Sequence, residues 1–89
     1  MPQSLHIVAA GNTLAPALAE LVSLGFSVSR IAVSGPSEPF LRAEKLGLVL
    51  DASDPLELLG LAMLAERRGA AWVPSDDEVD ALLKLQGAV

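Results

Sequence analysis

Eighty-nine residues, 52% of them apolar, with 11 acidic and 6 basic side chains and a net charge of −5, describe one domain over residues 1–89. That balance argues against a nucleic-acid binder: the basic residues are scattered, and Phe26, Phe40 and Trp72 are too few for a base-stacking platform. The absence of cysteine excludes disulfides, thiol nucleophiles and cysteine zinc sites, and it permits a reducing compartment.

The apolar share is high for so small a chain, whose core is limited to burying about 60–65% of the unfolded surface. Mean hydropathy is +0.49. Some apolar surface is therefore expected to be covered by a partner, most simply a second copy. The first residues, MPQSLHIVAAG, lack the basic start and long apolar run of a signal peptide, and no stretch approaches the roughly 20 apolar residues that span a membrane. A cytoplasmic protein with no membrane partner is expected.

In chain order, residues 5–10, LHIVAA, read as a buried strand that ends at Gly11-Asn12. Thr13 is a candidate N-cap for a helix over 14–24, which Gly25 ends. Leu14, Ala17, Leu18, Leu21, Val22 and Leu24 share its apolar face. Residues 26–34 return as a strand, with a bulge or a doubly buried stretch where the alternation breaks at Arg30-Ile31. Strand, helix and strand within 30 residues predict a parallel βαβ unit. SGPSEP, 34–39, is a turn cluster and the expected mobile segment. Residues 40–52 read as two short strands around Lys45, or one strand interrupted at Glu44-Lys45, with Leu46, Leu48 and Leu50 facing one way.

Residues 53–69 form the helix that organises the rest. Asp54 can cap it, Pro55 suits its first position, Glu57 stands three residues after the cap, and Arg67, Arg68 and Gly69 suit its end. Residues 58–65 are apolar on every side, with Leu58, Leu61, Ala62 and Ala65 opposite Leu59, Met63 and Leu64. Such a helix is expected to be covered on more than one face. Gly60 within it predicts a close helix approach, in the fold or across a dimer. Residues 70–74 form an apolar link that can supply an edge strand. Ser75 and Glu78 make a capping box for a final helix over 76–86, with Val79, Leu82, Leu83 and Leu85 on one side and Asp76, Asp77, Asp80 and Lys84 on the other.

The sum is an α+β fold, β-α-β-β-(β)-α-α, with helices on one face of a small mixed sheet. The alternative is a ferredoxin-like β-α-β-β-α-β order plus a C-terminal helix, if residues 70–73 form a strand.

Nothing in this chain makes a catalytic set. His6 is the only histidine, sits in an apolar run and has no marked nucleophile beside it. The turn Gly11, Asn12 and Thr13 opens a helix, where free backbone N–H groups favour an anion, yet it lacks the further glycines and the lysine of a phosphate loop. It is the candidate ligand site; turn plus N-cap is its plainer reading. The acidic run from Asp76 fails the EF-hand spacing, with Ala81 and Gly87 where Gly and Glu are required, so no metal is expected. Trp72 beside Asp76, Asp77 and Asp80 is the candidate interaction surface, and its plainer reading is a core anchor next to a solvated helix start. DPLELLGL and ERRG suit a small bacterial domain and carry no family resemblance. The expected function is a small acidic, non-enzymatic interaction domain that self-associates and that can also take a larger protein partner, with no cofactor. The alternative is a small-molecule-binding regulatory domain with its site at Gly11-Asn12-Thr13.

Overall fold

The structure is a computed structural model that describes residues 4–36 and 38–87. The expectation of mobility at 34–39 falls partly on Ser37, outside the described residues. Helix α1 (Leu14–Ser23) leads into strand β1 (Ser27–Ile31), and a hairpin of β2 (Phe40–Lys45) and β3 (Leu48–Ala52) follows. Helices α2 (Pro55–Arg68) and α3 (Asp76–Leu85) complete the order. The fold is α+β.

The three strands form one sheet in the order β1-β2-β3, antiparallel throughout. This corrects the mixed sheet, because residues 5–10 form no strand. They run as exposed coil, with Ile7 88% exposed, so no parallel βαβ unit forms. A short apolar run has strand propensity, but a strand exists only when another edge takes up its N–H and C=O groups, and that pairing is not local. Residues 70–73 are turn and coil, which removes the ferredoxin-like alternative.

Val28, Ala43 and Leu50 stand opposite one another across the sheet and point to the face that carries α1 and α2. Leu21 and Phe26 from the α1–β1 corner and Leu58 and Ala62 from α2 close the core over them. The corner is a Schellman ending: Gly25 takes φ +98°, its N–H donates to the Val22 carbonyl at 3.0 Å, and the Phe26 N–H donates to that of Leu21 at 3.0 Å. Lys45 adds a cation there, its Nζ donating to the Leu24 carbonyl at 2.6 Å. The opposite sheet face is open and carries Arg42, whose guanidinium grips Asp51 with two hydrogen bonds of 2.8 and 3.0 Å.

Helix α2 starts as its sequence predicts. Asp54 Oδ1 accepts from the Glu57 N–H at 2.8 Å, and Glu57 Oε1 accepts from the Ser53 N–H at 2.9 Å. Its coverage differs from expectation. Leu58 and Ala62 are buried, Leu59, Leu61 and Leu64 are half-buried, and Met63 is exposed, so only one face is closed. Gly60 has no close neighbour either: a Cβ built there meets nothing within 4 Å. Gly60→Ala is therefore expected to stabilise the isolated chain by about 1 kcal/mol through helix propensity, a rise of about 4–8 °C in Tm by thermal unfolding. A fall in Tm would show that Gly60 meets a close surface in solution.

Candidate functional site

The candidate ligand turn is exposed apart from Thr13, which is half-buried. Gly11–Thr13 is a single 3-10 turn, and the Thr13 hydroxyl donates to the Ala10 carbonyl at 2.7 Å. Thr13 therefore makes no side-chain cap on α1. Because residues 5–10 are coil, the turn does not join a strand to a helix. His6 lies exposed in the same coil.

The candidate interaction residues lie around the α2–α3 corner. The Arg68 guanidinium pairs with Glu78 and lies 5.8 Å from the centre of the Trp72 ring. Trp72 is partly exposed and belongs to this corner, outside the core cluster. The capping box forms as read: the Glu78 N–H donates to Ser75 Oγ at 3.1 Å, and the Ser75 N–H donates to Glu78 Oε1 at 2.8 Å. Asp76, Asp77 and Asp80 are exposed, and none pairs with a cation among the described residues, the Asp80–Lys84 spacing included.

Glu78 thus serves both the helix start and the corner. The hydrogen bond from Arg68, then the backbone bond at Ser75, lower its carboxyl from 4.5 to about 2. A lowered carboxylate stabilises the fold fully above its ordinary value, and that contribution drains as pH falls through the folded value. Trp72 emission is therefore expected to hold from neutral pH to about 4.5 and to change between there and about 2. In Glu78→Gln this acid step is expected to vanish, because the amide has no proton to take up in this range while its oxygen still accepts from the Ser75 N–H. Asp51 is lowered in the same direction by the hydrogen bonds from Arg42.

The structure adds a site that the sequence reading missed. A groove of about 440 Å3 opens between the hairpin tip and the C-terminal half of α2, lined by Phe26, Leu48, Ala62 and Ala65. Lys45 and Leu46 line it from the hairpin tip, and Glu66 lines it from α2. Lys45 Nζ lies 5.5 Å from the centre of the Phe26 ring. At the tip, Leu46 and Gly47 have φ values of 49° and 85°, the positive pair that a type I′ turn needs. Leu46 is 98% exposed in that left-handed conformation. Asn, Asp or Gly is the usual residue there, so an apolar residue directly before Gly47, between two alternating runs, was the available signal.

The second feature is helix α3 itself. Among the described residues no other element packs broadly against it. Val79, Leu82 and Leu85 are exposed along one side, and Leu83 is half-buried. Among the described residues no helix is long and apolar enough to cross a membrane. No family model, curated protein or solved structure matches this chain.

Proposed function

We propose that the protein is a non-enzymatic interaction module whose first partner is a second copy of itself. The observation that supports this most is surface area. The chain exposes 7129 Å2, whereas a compact chain of its mass exposes about 4,900 Å2. Its radius of gyration is 16.0 Å, against about 12 Å for a compact chain of this length. A standard interface covers about 800 Å2 on each partner, which fits within the excess. Among the described residues the buried core holds four large side chains, Leu21, Phe26, Leu50 and Leu58, while Leu46, Met63, Val79 and Leu82 stand in water. Burial of that apolar surface drives association. A cytoplasmic setting is in keeping with a chain free of cysteine.

Native mass spectrometry over a dilution series tests the proposal. The expected result is a species of twice 9.2 kDa that dissociates on dilution. Monomer at every concentration would contradict it. A second reading rests on the groove, whose volume suits a small apolar ligand. A ligand at one hundred times its Kd would add about 2.7 kcal/mol of stability, so a thermal-shift panel separates the two readings.

A further inference from the structure

We infer that α3 of one copy seats its apolar side in the groove of a second copy, and that the exchange is reciprocal. The inference deepens the self-association proposed above and rests on it. Helix α3 has ten residues, with a complete capping box at its start. Isolated helices shorter than about 12–15 residues are marginal in water, so capping alone does not secure it. Its Val79, Leu82 and Leu85 need an apolar surface, and helix-in-groove docking uses this spacing of anchors.

The groove offers the matching surface. Its α2 wall is built from Ala62 and Ala65, small residues that leave room for inserted leucines. Lys45 lines it on the hairpin side, facing a helix whose first turn is Asp76, Asp77 and Glu78. Glu66 on the α2 wall suits Lys84, the single basic residue of α3. No α3 residue lines the groove of its own chain. The Arg68 guanidinium, holding Glu78 and lying against Trp72, sets the corner that keeps α3 away from it. Seating α3 on a second copy leaves that corner intact. A two-fold exchange uses both apolar surfaces on both chains, and it closes without leaving an open end.

The absence of cysteine makes the test clean. Chains carrying Ala65→Cys are mixed with chains carrying Leu82→Cys and oxidised, and the products are weighed. The expected product is a mixed disulfide dimer, in excess over either self-linked dimer. Separately, Leu82→Asp is expected to weaken self-association at least about tenfold by sedimentation, with far-UV circular dichroism checking that the fold persists. If the wild-type chain dimerises, the mixture gives no cross-link and Leu82→Asp dimerises as tightly as wild type, α3 seating is overturned and self-association stands. If the wild-type chain is monomeric up to about 0.5 mM, both fall. If a chain carrying both cysteines closes an internal disulfide and keeps a monomer mass, α3 seats on its own groove and the exchange is overturned.

Discussion

Leu46→Asn will stabilise the isolated chain and weaken its self-association. Leu46 holds φ at 49° with its side chain almost entirely in water. A left-handed L-residue costs roughly 1–2 kcal/mol, and Asn tolerates that conformation better because its short amide bonds locally to the backbone. No packing within the chain is lost. The expected gain is about 0.5–1 kcal/mol, or roughly 2–8 °C in Tm at concentrations where the chain is monomeric. In the associated state the outcome reverses. Leu46 lines the groove, burial of a leucine contributes about 1.5–3 kcal/mol, and a two-fold dimer loses it in both copies, so the substitution should raise the dimer Kd at least about 100-fold. Thermal melts at low concentration and sedimentation at high concentration read the two effects separately. A variant that is less stable as a monomer, or that associates as tightly as wild type, would show that Leu46 is an ordinary turn residue.

Leu58→Ala will have the largest effect on the fold. Leu58 is fully buried and lies in one cluster with Leu21, Phe26, Ala43, Leu50 and Ala62. Truncating a buried leucine costs about 2–5 kcal/mol, because the removed methyl groups leave a cavity as well as a transfer loss. Stability of 0.05–0.15 kcal/mol per residue gives this chain about 4–13 kcal/mol in all, so one substitution takes a large share. The core offers little to compensate, since three of the seven buried apolar residues among those described are alanines. Urea unfolding should show a lower midpoint with an unchanged slope. Met63→Ala, at an exposed position on the same helix, is the control, with an expected cost under about 1 kcal/mol in the monomer.

Helix ends and the hairpin were the legible parts of this chain. Asp54, Ser75 and Glu78 make the capping bonds that their spacing implies, because capping joins residues within four positions of one another; Glu57 accepts from Ser53 in place of the Asp54 N–H, and Thr13 bonds back to Ala10 and caps nothing. Of the two readings of 40–52, the pair of strands forms and the single interrupted strand does not, and the turn lies at Leu46-Gly47, one residue after Lys45. Leu48 and Leu50 lie on the helix-bearing side of the sheet, whereas Leu46 stands at the tip. What failed depends on distant partners. Residues 5–10 have strand composition but pair with neither edge strand of the sheet, and α2 has an all-round apolar surface with one face closed. Beyond the local signal of Leu46 before Gly47, the groove was not legible, because its walls come from the α1–β1 corner, the β2–β3 hairpin and α2, which only folding brings together.

The concentration dependence of thermal unfolding tests most directly whether a second copy completes this fold. If association covers the apolar surface, raising the protein concentration 100-fold, from about 5 to about 500 µM, should add about 2.7 kcal/mol per dimer and raise Tm by several degrees. A Tm that stays constant across that range would mean that the folded chain stands alone, with its groove and α3 open to water.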